Sequence, residues 1–259
     1  MLKLLFDFMK LCYLILACLF LSACSSAQVK EYKAKVVGEY PHDARAYTQG
    51  LFFHDGTLYE TTGQWGESSI RTVDLETGKP IVSKKLSSKY FGEGSAILDV
   101  ELYVLTWTNK LVFRYDAKTL QYKSSIGYPR EGWGLTTDGK QLIASDGSSM
   151  LYYLDKDMKV MRRLKVTLND RPLKYLNELE WIDGKIWANV YTYDIIAIIN
   201  PSSGKVEATI DCSGILPEAL KKPDTDVLNG IAVDDKGNIY ITGKYWPRLY
   251  KIELEKKKK

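Results

Sequence analysis

The sequence predicts an all-β chain folded as a five-bladed β-propeller, and three observations carry that prediction. A tight polar turn followed by an alternating apolar strand recurs in HDGTLYETTG (54–63), LDVELYVLTW (98–107), TDGKQLIASD (137–146), IDGKIWANVY (182–191) and DDKGNIYITG (234–243). A second strand, turn and strand string follows most copies at a similar offset, in IRTVDLETGK (70–79), VFRYDAKTLQ (112–121), LYYLDKDMKV (151–160) and IAIINPSSGKV (196–206). The resulting repeat of about 45 residues has the length of a four-stranded blade, and no helical periodicity of comparable strength competes.

Five such units fill the chain from residue 45 onward. The preceding segment VKEYKAKVVGEY (29–40) alternates like a strand and is expected to complete the last blade, because a sheet that borrows a strand from the other terminus leaves no open seam. The spacing between the fourth and fifth units is the longest, which predicts an inserted loop over 207–227 and a short helical piece near Pro217 to Lys221.

The first residues read differently. Lys3 and Lys10 precede an apolar run from Leu11 to Leu21 that is too short to span a bilayer and has the proportions of a secretory signal. Leu21-Ser22-Ala23-Cys24 resembles the bacterial lipobox, in which cleavage before the cysteine leaves it lipidated. The expectation is a signal peptide over 1–23, a propeller domain over 24–259, and a cell-envelope lipoprotein held to the membrane by acyl chains on Cys24. Cys12 and Cys18 would leave with the leader, so Cys212 has no disulfide partner and reads as a small buried hydrophobe. The formal charge of +4 falls by one unit when Lys3, Lys10 and Asp7 are removed. So small a charge argues against a nucleic-acid partner.

Aligning the units places Gln49, Glu93, Trp133, Asn177 and Asn229 at one position, the start of each innermost strand, where side chains face the central channel. Gly63, Trp107, Gly147, Tyr191 and Lys244 return to the same rim on the second strand and form a second ring. Glu93, between Gly92 and Gly94, is the only carboxylate this alignment puts in the inner ring. One carboxylate, one amine, carboxamides and aromatic faces at one mouth suit a small polar ligand with an apolar stem. Strand-start turn chemistry would account for Asn and Gly at these places, but it does not call for Glu, Lys and Trp. Trp181 and Trp187 read as core, and the Asp of each DG pair as a turn residue. With His42 and His54 the only histidines and neither in a ligand-spaced motif, no metal site is expected. No phosphate loop or G-x-S-x-G elbow is present.

The strings YTQGL, YFGEGSAIL, LTWTN, GWGLTTDG, SDGSS, LNELEWIDGKIWANVY, VLNGIAVD and GKYWP, in order from about residue 30 to 253, resemble the signature series of glutamine cyclotransferases of the plant and bacterial type. The resemblance implies a cofactor-free monomer that acts on peptides or proteins with N-terminal glutamine, forming pyroglutamate and releasing ammonia. It implies Glu93 as general base and then acid, with Lys244 and Asn177 stabilising the oxyanion. It further implies substrate contacts from Gln49 and Asn229 and an aromatic wall of Tyr47, Phe91, Trp107 and Trp133. Asn189-Val190-Tyr191 departs from the NVW of many relatives, placing Tyr191 where a tryptophan is common; both rings offer a face, and tyrosine adds a hydroxyl. Two other readings remain open on the residues alone. One is a propeller lactonase or lyase, which would need a metal held by several carboxylates; the other is a peptide-binding lipoprotein without turnover.

Overall fold

The computed structural model describes residues 28–257; the leader of residues 1–23 and Cys24 lie outside the described residues. After strand β1 (Lys30–Pro41), the chain builds antiparallel meanders one after another. The first holds β2 (Thr48–His54), β3 (Thr57–Thr62), β4 (Ser69–Val73) and β5 (Pro80–Lys85). The second holds β6 (Gly92–Leu98), β7 (Glu101–Thr106), β8 (Leu111–Asp116) and β9 (Tyr122–Gly127), and the third β10 (Leu135–Thr137), β11 (Leu142–Ser145), β12 (Met150–Leu154) and β13 (Val160–Lys165). A small hairpin, β14 (Thr167–Leu168) and β15 (Arg171–Pro172), leads into β16 (Leu176–Ile182), β17 (Lys185–Val190), β18 (Ile195–Ile199) and β19 (Val206–Asp211). The chain closes with β20 (Leu228–Val233), β21 (Ile239–Gly243) and β22 (Arg248–Lys256).

β1 does what its alternation suggested, pairing antiparallel with β22 from Tyr32 opposite Lys256 to Pro41 opposite Arg248. It also pairs in parallel with β19, from Lys30 opposite Ala208 to Lys33 opposite Asp211. That second contact fuses the fourth meander and the terminal strands into one eight-stranded sheet of order β16-β17-β18-β19-β1-β22-β21-β20. It also corrects the expected loop over 207–227. Residues 207–211 are strand, because β19 finds ladder partners on both sides in β18 and β1. The remainder carries a single 3-10 turn at Glu218–Leu220, inside the stretch expected to be helical.

Burial falls from the inside of each meander outward. All seven residues of β6 are buried, whereas all six of β5 (PIVSKK) are exposed, and its lysines discourage pairing at an open edge. Apolar layers separate neighbouring meanders. Ile97 and Leu102 of the second pack with Phe52 and Ile70 of the first, and Leu249 and Tyr240 pack with Leu51 and Leu58, closing last on first. Trp187 is core in one apolar layer and Trp181 packs against the next, as their positions within alternating strands suggested. Cys212 is buried in the same layer as Trp187, and burial pushes its thiol far above the ordinary value.

Pairing of the innermost strands slips between Thr48 and Gly50, Gly92 and Ser95, Leu176 and Leu179, and Leu228 and Ile231. Each slip is a bulge, which re-aims a side chain at the cost of one ladder pairing. The bulges fall on Gln49, Glu93, Asn177 and Asn229, the residues that the sequence alignment placed at the channel. Hydrogen bonds then link these segments in succession. Thr61 Oγ1 donates to the Glu93 carbonyl (2.9 Å), Gly94 N to the Trp133 carbonyl (2.7 Å) and Ser145 Oγ to the Asn177 carbonyl (2.7 Å). Gly230 N donates to Asn189 Oδ1 (3.0 Å), and Asn229 Nδ2 returns to the Thr48 carbonyl (2.9 Å). The approach is close enough that a Cβ on Gly134 would lie 1.9 Å from the Asn177 carbonyl oxygen.

Candidate active site

The second ring is fixed by one repeated backbone contact. The N–H groups of Gly63, Trp107, Tyr191 and Lys244 donate to the carbonyls of Tyr47, Phe91, Tyr175 and Val227, each two residues before a bulged residue (2.8, 3.1, 2.8 and 2.9 Å). In these four units the contact follows the spacing of the sequence alignment, including the extra residue before Lys244. The third meander departs from it, since there Trp133 N donates to the Ser145 carbonyl at 3.2 Å. The glycines of this ring are floors for aromatic rings. A Cβ on Gly63 would meet Phe91 at 2.3 Å, and one on Gly147 would meet the Trp133 indole at 2.7 Å.

The aromatic residues form a perimeter. Tyr47 meets Phe91 edge-on (6.0 Å between centroids), Phe91 meets Trp107 (5.5 Å), and Trp133 meets Tyr191 (5.5 Å). Two charged side chains fill the remaining gaps. Lys244 Nζ lies 4.6 Å from the centre of the Tyr47 ring and 5.1 Å from that of Tyr191, so the two faces hold the ammonium by cation–π attraction. Opposite in sequence order, Glu131 Oε2 accepts from the indole N–H of both Trp107 (2.9 Å) and Trp133 (3.3 Å).

Inside this perimeter Gln49, Glu93, Asn177, Asn229 and Lys244 are all buried. Glu93 is 4% exposed, more enclosed than the solvated rim position its flanking glycines also allowed. Burial pushes the Glu93 carboxyl well above the usual carboxylate range; the Lys244 charge opposes this and the Glu131 charge adds to it. Burial likewise lowers the Lys244 ammonium, against the opposing pull of Glu93 and Asp226. Burial thus favours the neutral form of both groups, the condition under which a carboxyl can both take up and give back a proton. Asn177 Oδ1 and Asn229 Oδ1 are buried with no hydrogen-bond partner, while Asn229 Nδ2 also reaches Gln49 Oε1 at 3.3 Å.

Three residues of the site escaped the sequence reading. Asp226 accepts from the Tyr47 hydroxyl (3.0 Å), and its own N–H donates to the Lys244 carbonyl (3.0 Å). Glu131 stands one residue outside the recognised string GWGLTTDG. Glu178 corrects the reading of one inner carboxylate. Its two oxygens accept from the backbone N–H of Leu51 (3.2 Å) and of Ile231 (2.9 Å), bridging strands of two other meanders. Its signal was present: the residue after the ring position is Gly50, Gly94, Gly134 and Gly230 elsewhere, and Glu only here. Among the described residues no group of three or more His, Cys, Asp or Glu side chains is placed to hold a metal ion.

A family model described as glutamine cyclotransferase matches residues 9–254. A glutaminyl-peptide cyclotransferase of Arabidopsis thaliana is 45% identical over 227 residues, which cover 85% of this chain and 71% of that protein. The crystal structure of Myxococcus xanthus glutaminyl cyclase superposes with a TM-score of 0.83 at 35% identity, covering 89% of this chain and all of that one.

Proposed function

The chain belongs to the glutamine cyclotransferase family, and from that premise we propose that it closes the N-terminal glutamine of peptides or proteins into pyroglutamate at the mouth built around Glu93 and Lys244. The observation that carries this reading is the enclosure of that acid and amine by one aromatic perimeter. In the reaction the α-amino nitrogen of the substrate forms a bond to its own side-chain amide carbon. The bond from that carbon to the amide nitrogen breaks, and the nitrogen leaves as ammonia after gaining the proton that the attacking amine loses.

Glu93 carries that proton. As a carboxylate it takes it from the attacking amine, and as an acid it delivers it to the leaving nitrogen. Its raised proton affinity suits the first half, since a carboxylate of ordinary strength is a weak base toward the attacking amine. Lys244 sits against the charge that develops on the amide oxygen, and the Asn177 side-chain N–H₂ donates to that same oxygen, while its Oδ1, which has no partner, can accept from the substrate. Tyr47, Phe91, Trp107, Trp133 and Tyr191 fold the glutamine stem back on itself, which brings amine and carbonyl together before the bond forms. Gln49 and Asn229 bind the substrate backbone from the inner ring.

The meanders count as five blades if the eight-stranded sheet is taken as two four-stranded units joined where β1 meets β19. In support, the hydrogen bonds between inner segments return to their start after five steps. The lipobox-like string makes the protein a membrane-held lipoprotein of the cell envelope through Cys24, with the propeller acting as a monomer. A coupled assay for ammonia released from a glutaminyl dipeptide tests the activity. Equilibrium binding of that dipeptide without ammonia release would replace the enzyme with a binding protein.

A further inference from the structure

We propose that Glu131 is a positioning residue for the cyclisation, a single carboxylate that ties the Trp107 and Trp133 indoles into one continuous wall of the substrate cavity. The proposal rests on the reading of that cavity as the cyclase site. Trp107 follows β7 of the second meander, and Trp133 precedes β10 of the third. Among the described residues no ring pair joins the two indoles; each pairs instead with a neighbour farther round, Phe91 for one and Tyr191 for the other. The perimeter therefore has a seam between two meanders, and Glu131 Oε2 closes it by accepting both indole N–H groups. Hydrogen bonds to an ionised acceptor are about twice as strong as neutral ones, which suits two half-exposed rings that would otherwise turn their N–H groups to water.

The backbone that presents Glu131 is held in place. Gly132 N donates to the Thr106 carbonyl (3.1 Å) and to the Trp107 carbonyl (3.3 Å), and a Cβ on Gly132 would lie 2.5 Å from Leu105 Cβ. The neighbouring Arg130 does not neutralise the carboxylate. Its guanidinium lies over the rings of Tyr152 (4.2 Å) and Tyr128 (5.7 Å), and no salt bridge to Glu131 forms among the described residues. The Glu131 carboxylate stands beside the cavity and raises the proton affinity of Glu93, while Lys244 from the last meander opposes it.

Two consequences separate a positioning role from a merely structural one. Without the acceptor the wall loosens and substrate binding suffers, while the proton chemistry on Glu93 continues. Without the charge the proton affinity of Glu93 falls, so activity persists to lower pH. The test is steady-state kinetics on a glutaminyl dipeptide across pH, for the unaltered protein, Glu131→Ala and Glu131→Gln. Glu131→Ala is expected to raise KM about tenfold with a smaller change in kcat, the worth of about 1.4 kcal/mol of lost hydrogen bonding. Glu131→Gln keeps an amide oxygen for the indoles and is expected to restore KM to within about threefold. Both variants should carry the acidic limb of kcat to lower pH. An unaltered protein that releases no ammonia would overturn the cyclase reading itself. Active unaltered protein, with KM and the acidic limb unmoved in either folded variant, would overturn the role of Glu131 alone. Should Glu131→Ala not fold, the acidic limb of Glu131→Gln decides.

Discussion

Replacing Glu60 with glutamine should destabilise the protein far more than the isosteric change suggests. Glu60 is 1% exposed and joins the first meander to the last. Its Oε1 accepts from Thr48 Oγ1 (2.7 Å) and His42 Nε2 (3.0 Å), and its Oε2 from Arg71 Nε and Nη2 (2.9 and 2.7 Å). His42 Nδ1 donates onward to the Trp246 carbonyl (2.7 Å), two residues past Lys244. The Glu60 carboxylate on one side and the Trp246 carbonyl on the other favour the protonated ring. Burial opposes that charge, but the charge and hydrogen bond of Glu60 and the Trp246 carbonyl prevail and raise its pKa above the ordinary 6.5. Burial would raise Glu60 too; the Arg71 and His42 charges outweigh it and hold the carboxyl far below its usual range.

Glutamine removes the carboxylate partner of His42 and one of the two of Arg71, which keeps Asp43 at 3.1 Å, and it turns an N–H₂ toward donors. Breaking a buried pair in this way costs about 3–5 kcal/mol. At about 2–4 °C per kcal/mol for a domain of this size, Tm should fall by about 6–20 °C. The pH dependence follows from the same contacts. The His42 contribution is complete below its unfolded pKa and disappears as pH rises through the raised folded value; that of Glu60 is present above its unfolded pKa and disappears as pH falls through the lowered one. The unaltered protein should therefore lose Tm as pH rises through the raised His42 value, and Glu60→Gln should lose that slope, because the buried ring without its partner favours the neutral form. Thermal melts by circular dichroism between about pH 5 and 9 measure both. A Tm within about 2 °C of the unaltered protein, or an unchanged slope with rising pH, would refute the reasoning.

Glu93→Gln keeps the shape of the side chain and removes its proton transfer, so kcat should fall by about two to four powers of ten while dipeptide binding, read by calorimetry, persists. Lys244→Met removes the charge that holds down the proton affinity of Glu93, and the acidic limb of the residual activity should move to higher pH. Gly134→Ala drives a Cβ into the Asn177 carbonyl, a backbone atom that cannot turn aside. A loss of about 1–3 kcal/mol in denaturant melts should accompany a fall in activity per folded molecule, since Asn177 must shift. Cys24→Ser should release the protein from the membrane fraction into the soluble one, as judged by immunoblot after fractionation.

The strands and their turns were legible in the sequence because both signals are local. Alternation with period two marks a strand wherever it lies, and polar turn residues mark its end, so the repeat could be aligned and Gln49, Glu93, Asn177 and Asn229 placed at one level. The same alignment placed Trp107, Trp133, Tyr191 and Lys244, while Tyr47 and Phe91 came with the family strings. The same local reading could not find the bulges, although they fall on those very residues, because a bulge depends on the partner strand. Glu93 shows the limit. Its flanking glycines fit an exposed rim as well as a buried pocket, and only the packing of the third meander against Gly94 encloses it.

What the sequence determined by itself is the repeated inner hairpins, their order and the residues that start each inner strand; it read most of β19 as loop and did not find the β14–β15 hairpin. Which charges meet was decided by the tertiary structure. Glu131 joins indoles of two meanders, Glu178 reaches N–H groups of two others, and His42 bonds a carbonyl 204 residues away. Such pairs leave no periodic trace along the chain. Electrostatic and hydrogen-bond partners are selected by distance and burial in three dimensions, and closing the ring, first meander against last, is what brings them within reach.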